Sequence, residues 1–165
     1  MGRASNAEMV TLAAPLAFGR ETQVFNLPRK QFPFGRDMRA GFNIPFFLVE
    51  NRVVKLYYIQ PRKKSALTHD QLSMVATIHK RHLLDTEFYG QVVDLEYVDL
   101  SQDPVTKVRE VKTYSLGSLN LWSDEQLQKR LTLIAEALDR VWTSGLVTPR
   151  KRAGRLSDPD MPLFD

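Results

Sequence analysis

Asp94, Glu110 and Lys112 are the side chains whose types and spacing could do chemistry. Glu110 and Lys112 stand two apart in the run KVREVKTYSL, residues 107–116, and Asp94 lies in the apolar-alternating run before it. Residues two apart on a strand point to the same face. Two facing carboxylates can hold a divalent cation, and a neighbouring lysine can position or activate water. Metal-assisted hydrolysis is the reaction class such a trio would support. A plainer reading is a solvated hairpin face. A turn centred near Pro104 puts Glu96 opposite Lys112, as a cross-strand ion pair, and Val98 opposite Glu110.

Other polar clusters carry binding chemistry rather than catalysis. Arg62, Lys63 and Lys64 precede a helix start, where backbone amides add to the positive field and favour phosphate. Arg150, Lys151 and Arg152, with Arg155, form a second basic cluster in a segment rich in Pro, Gly and charge. His79 and His82 stand i, i+3 on one helix, but His79 falls on the apolar stripe, as a core histidine with one hydrogen-bonded nitrogen would. His69 sits in the first turn of that helix, facing solvent. No phosphate-binding glycine loop, nucleophile elbow, HExxH or dinucleotide fingerprint occurs.

The elements that must position these groups are legible from periodicity and caps. Residues 1–19 read as a loose arm. Residues 22–27 and 31–36 read as short strands, with Pro28 and Pro33 suited to an edge. Phe46–Val49 and Val53–Ile59 form a hairpin about Glu50-Asn51. Thr68 with Gln71 predicts a capping box, and Leu72, Val75, Ala76, His79 and Leu83 form one helical stripe. Strands are predicted over 92–100 and 108–116. Ser123 with Gln126 predicts a second capping box, and Leu127, Leu131, Ile134, Leu138 and Val141 a second stripe.

The two halves repeat. Arg52–Tyr57 matches Arg109–Tyr114, and Leu67–Leu72 matches Trp122–Leu127. Each half is strand–strand–helix. The expected class is α+β, a two-layer sandwich with an antiparallel sheet of at least four strands and two helices on one face. The expected division is an N-terminal arm with short edge strands over 1–40, a core domain over 41–147 and a flexible tail over 148–165.

Composition narrows the function classes. The formal charge of +4 divides as +3 over residues 1–40, zero over 41–148 and +1 over 149–165. A neutral core argues against a broad nucleic-acid-binding face and leaves local basic clusters as the contact points. The absence of cysteine excludes disulfides and thiolate metal sites and suits a reducing cytoplasm. The apolar run Met9–Phe18 is too short for a membrane span and is broken by Pro15. No secretory or myristoylation signal is read at the N-terminus.

Asp94, Glu110 and Lys112 resemble the metal-binding and catalytic set of the PD-(D/E)XK nucleases. That resemblance implies Mg or Mn as cofactor. The pattern departs in lacking a Pro before Asp94 and a strand between the first helix and the Asp strand. The stretch Asp160–Phe164 is similar to the sliding-clamp-binding peptides of bacterial polymerases and repair proteins, which end in a Leu-Phe pair. Here the usual leading Gln is missing. The residues taken together favour a non-enzymatic, cytoplasmic binding or adaptor module in a nucleic-acid-associated assembly, with no cofactor. Its partners are a protein or a nucleic-acid-bound complex, with phosphate contact at Arg62, Lys63, Lys64, Arg150, Lys151 and Arg152 and docking at Leu163 and Phe164. A metal-dependent nuclease and a structural homo-oligomer are the alternatives.

Overall fold

The structure, a computed structural model, describes residues 2–35, 38–42, 44–61, 67–103 and 105–145. Its class is α+β. Five strands form the main sheet: β1 (Thr22–Asn26), β4 (Phe46–Glu50), β5 (Val53–Gln60), β6 (Val93–Asp99) and β7 (Lys112–Tyr114), in the order β1-β4-β5-β6-β7. A separate hairpin pairs β2 (Gln31–Phe34) with β3 (Met38–Gly41). The helices are α1 (Gly2–Ala13), α2 (His69–His79), α3 (Asp85–Glu87) and α4 (Asp124–Thr143).

Both predicted capping boxes form. The Thr68 hydroxyl accepts from the Gln71 amide while the Gln71 side chain accepts from Thr68 N–H, and Ser123 and Gln126 repeat the exchange. The β4–β5 turn uses Asn51 and Arg52, both at positive φ (51° and 63°), and pairs Glu50 with Val53. Positive φ at both central residues gives the twist that joins adjacent antiparallel strands. The turn is therefore one residue later than Glu50-Asn51.

Three expectations are corrected. The first nineteen residues are not a loose arm: α1 runs into a 3-10 turn over Ala14–Ala17. Met9, Leu12, Ala13 and Leu16 are half-buried, at helical spacing. Pro15 sits at the start of the 3-10 turn, just after Ala14, where its missing N–H costs no bond, rather than breaking structure.

The main sheet is mixed rather than antiparallel. β5 and β6 pair in parallel, from Val54 opposite Val93 to Gln60 opposite Asp99. Residues 69–87 explain this. α2 continues through a π-helical turn over Lys80–Leu84 into α3, a run of about 28 Å at helical rise. That length returns the chain to the start of β5, so β6 begins beside Val54 and runs the same way. A short turn would have given an antiparallel neighbour.

The second hairpin is also shorter than the 92–100 and 108–116 pairing. β7 holds three residues, and the register places Lys112 opposite Asp99 and Thr113 opposite Val98. Beyond them a bridge between Gln102 and Arg109 continues the ladder. Asp103 accepts from the amides of Val105 and Thr106, which turns the chain locally and offsets the strands from a turn centred on Pro104.

The core lies between the main sheet, α2, α4 and the β2–β3 hairpin. Leu56 and Leu95 meet Leu72 and Ala76 of α2, Leu127 and Leu131 of α4, and Phe32 of β2. Leu56, Leu83, Leu84, Leu95 and Val98 are fully buried. Gly35 lets the β2–β3 hairpin reach α4. Its φ is +67°, and a Cβ there would stand 2.7 Å from the Cβ of Ala135.

Gly35→Ala is therefore expected to lower stability by about 2–4 kcal/mol, from strained φ and overpacking together. Gly90→Ala, at φ +77° in open space, carries only the φ cost of about 1–2 kcal/mol. Urea denaturation of the two variants checks this. Equal losses would remove the packing role of Gly35.

Candidate functional site

Asp94, Glu110 and Lys112 do not converge. Asp94 lies near the start of β6, where its Oδ1 accepts from the amides of Leu95 and Leu116 (2.8 and 2.9 Å). Lys112 lies opposite Asp99, five residues further along β6, or about 17 Å at strand rise. Glu110 lies outside β7, two residues further still, and pairs with Lys112 at 3.5 Å. Carboxylates that far apart cannot share one ion, whose oxygen ligands must lie about 2–2.6 Å from it. The expected Glu96–Lys112 pair is absent for the same reason of register. Among the described residues no group of three or more His, Asp or Glu side chains is arranged to hold a metal.

Arg62, Lys63, Lys64, Arg150, Lys151, Arg152, Leu163 and Phe164 all lie outside the described residues. His79 is buried and shares a hydrogen bond through Nδ1 with the Tyr97 hydroxyl. Burial pushes its pKa down to about 4, so it is neutral at pH 7. His82 stacks on Phe32 at 5.2 Å between ring centres. His69 is exposed, as expected, with Nε2 3.3 Å from the Ser118 carbonyl.

What the sequence did not disclose is a charged cluster on the face of the sheet opposite α2. Side-chain alternation places Glu50 of β4, Lys55 of β5, and Asp94 and Glu96 of β6 on this face. Arg20, two residues before β1, reaches across it. Its Nε and Nη2 donate to the two Glu50 oxygens, each at 2.7 Å. Its Nη1 and Nη2 donate to Glu96 at 2.8 and 2.9 Å. Lys55 Nζ donates to Glu50 at 2.6 Å. Bidentate guanidinium–carboxylate pairs are the strong, geometrically specific kind. The bonds from Arg20, then Lys55, hold the Glu50 carboxyl down at about 2, and Glu50 and Glu96 raise Arg20.

These residues line an open cavity of about 450 Å³ with Leu16, Asp94 and Tyr114. Arg20, Glu50 and Lys55 already satisfy one another, and Asp94 is held by backbone amides. The cluster thus fixes the N-terminal segment to three strands.

A second surface lies on α4. Leu127, Leu131 and Ala135 are buried, but the same stripe continues into Leu138, Val141 and Trp142, exposed by 43, 46 and 71%. Leu138 and Trp142 line a groove of about 410 Å³ with Phe34, Met38, Arg39 and Asp139, between α4 and the β2–β3 hairpin. The helix outruns the core that covers it.

Acid should weaken the fold in two steps. Glu50 titrates near 2 folded against 4.5 ordinarily, so its contribution is present above about pH 4.5 and lost as pH falls towards 2. His79, pushed below 6.5, contributes above that pH and is lost on the way down to about 4. Glu50→Gln is expected to flatten the lower step and leave the upper one. Arg20→Ala, which strands two carboxylates, should cost about 2–4 kcal/mol at pH 7. Urea denaturation between pH 7 and 2.5 reads both. An unchanged acid slope in Glu50→Gln would contradict the assignment.

Compared with protein-family models, curated proteins and solved structures, the chain matches none.

Proposed function

We propose that this chain is a non-enzymatic binding module, an adaptor in a nucleic-acid-associated assembly, and that it docks a protein partner on the groove of α4. The observation that carries the reading is the unfinished stripe of that helix. Leu138, Val141 and Trp142 expose apolar surface in line with buried Leu127 and Leu131. Contiguous exposed apolar side chains are a feature of interaction surfaces. Trp142 and the flanking Arg39 are residue types enriched at the centre of protein interfaces.

The nucleic-acid part of the reading rests on local basic clusters. Arg62, Lys63 and Lys64 precede the capped start of α2, and Arg150, Lys151 and Arg152 follow α4. Phosphate contact there adds salt-sensitive, sequence-independent affinity. Leu163 and Phe164 supply a second docking element. Among the described residues no helix is long and apolar enough to cross a membrane. A cytoplasmic site of action suits a chain without cysteine.

Affinity capture with and without nuclease treatment tests this. The wild type is expected to retain a stoichiometric protein partner, and Leu138→Asp/Trp142→Ala to lose it while keeping a native circular dichroism spectrum. Nucleic acid is expected to co-elute in a salt-sensitive way, less with Arg62/Lys63/Lys64→Ala. The same proteins captured by both forms would overturn the docking role of the groove. Mg²⁺- or Mn²⁺-dependent cleavage of the nucleic acid would overturn the non-enzymatic reading, and a stable homo-oligomer held by the groove would favour a structural role.

A further inference from the structure

We infer that the cleft between the first turns of α2 and α4 binds single-stranded nucleic acid, with a base stacked on Trp122 and Arg130 and a phosphate held by Lys129 and Arg130. This rests on the nucleic-acid reading above and names the site that reading lacks among the described residues. Trp122 is the centre. Its backbone N–H donates to Thr77 Oγ1 (2.8 Å) and its carbonyl accepts from Arg81 (3.0 Å). Its indole Nε1–H donates to Asp70 at 3.2 Å, which fixes the ring against rotation. The Arg130 guanidinium stands over the ring, 5.9 Å from its centre. A guanidinium held over an indole makes a cationic stack that a base can extend, since both planes stack with nucleobases.

The surroundings suit the rest of a nucleotide. The cleft of about 400 Å³ is lined by Asp70, Trp122, Gln126, Lys129, Arg130 and Leu133. It adjoins a second of about 510 Å³ that shares Asp70, Trp122 and Gln126 and adds Asn120 and Ser73. Both are of the size of ordinary ligand sites, about 300–1,000 Å³. Arg20, Lys55, Lys80, Arg81 and Lys112 each have a carboxylate partner. Lys129 and Arg130, adjacent in sequence, have none among the described residues and are exposed.

Ser73 is the second pointer. It is 1% exposed, lines the inner cleft, and its hydroxyl has no hydrogen-bond partner. A buried hydroxyl left unpaired carries unused hydrogen-bonding capacity beside the cleft. The Asn120 and Gln126 amides and the Asp70 carboxylate offer donors and acceptors for a base edge. An acidic peptide fits less well, because it gains little from the stack of Trp122 and Arg130. A duplex fits less well too, because its bases are already stacked.

Fluorescence anisotropy with labelled 12-nucleotide DNA and RNA strands, the same strands made abasic at their centre, and a DNA duplex tests the site in the full chain. Trp122→Ala is expected to weaken single-strand binding about 5- to 150-fold, the range for loss of one aromatic–base stack. Trp122→Phe should recover most of it. The abasic strands should bind wild type as weakly as intact strands bind Trp122→Ala. Lys129→Ala and Arg130→Ala should each lower the slope of log affinity against log salt by about 0.7.

Because Trp122 ties α2 to α4, the abasic strands and Lys129→Ala carry the test should Trp122→Ala fail to fold. Equal binding of intact and abasic strands, unchanged by Trp122→Phe and Lys129→Ala, would overturn the site. If Arg62/Lys63/Lys64→Ala still abolished binding, the nucleic-acid reading would survive without it. A duplex bound as tightly as the single strands would also overturn the site. No wild-type binding to any strand at low salt would overturn both.

Discussion

The parallel pairing of β5 with β6 is the constraint on which the rest depends. Seven residue pairs join Val54–Gln60 to Val93–Asp99 at the centre of the sheet. That pairing exists because residues 69–87 return the chain along the sheet as a nearly continuous helical run, with one π turn at Lys80–Leu84. On the helix-covered face it aligns Leu56 with Leu95 and Tyr58 with Tyr97, which with α2 build the core. On the other face it sets Asp94 beside Lys55 and Glu96 beside Tyr57, within reach of Arg20. The same crossing sets α2 where Thr77 and Asp70 meet Trp122.

Two polar devices then complete the packing that apolar burial starts. On the face opposite α2, Arg20 clamps Glu50 and Glu96 from neighbouring hairpins and joins the N-terminal segment to the sheet. Removing one member of such a cluster costs more than the cluster contributes net, because the remaining charges stay partly buried without partners. On the covered face, Trp122 links two helices through both its backbone groups and its indole. It acts as a hinge pin at one end of α4. At the other end the apolar stripe of α4 leaves the core at Leu138. Attachment at the first turn and exposure at the last leave the two ends of one helix in different environments.

Much of this was legible in the sequence where the cause is local. Thr68 with Gln71 and Ser123 with Gln126 announce their helices because a capping box needs only four residues. The strand runs about Phe46–Val49 and Val53–Ile59, the edge character of β1 and the core position of His79 were legible for the same reason. The direction of β6 was not, since it depends on the length of a helix, not on any residue of the strand. The Glu110-Val111-Lys112 spacing suggested a site only while register was open. With Lys112 opposite Asp99, Asp94 is out of reach. The Arg20 cluster draws on β4, β5, β6 and a loop, so no single stretch signals it. Met9, Leu12, Ala13 and Leu16 did carry a helical period, but Pro15 and the small residues around it obscured that period.

A binding module with a single-strand site at Trp122 and a protein groove at Leu138 predicts two independent footprints on α4. Amide hydrogen exchange of the full chain, with and without a saturating 12-nucleotide single strand, reads this most directly. Added strand should protect residues 69–73 and 120–130 and leave 138–142 unchanged. Protection at 138–142, or no change at 120–130 when the strand is bound, would contradict the account.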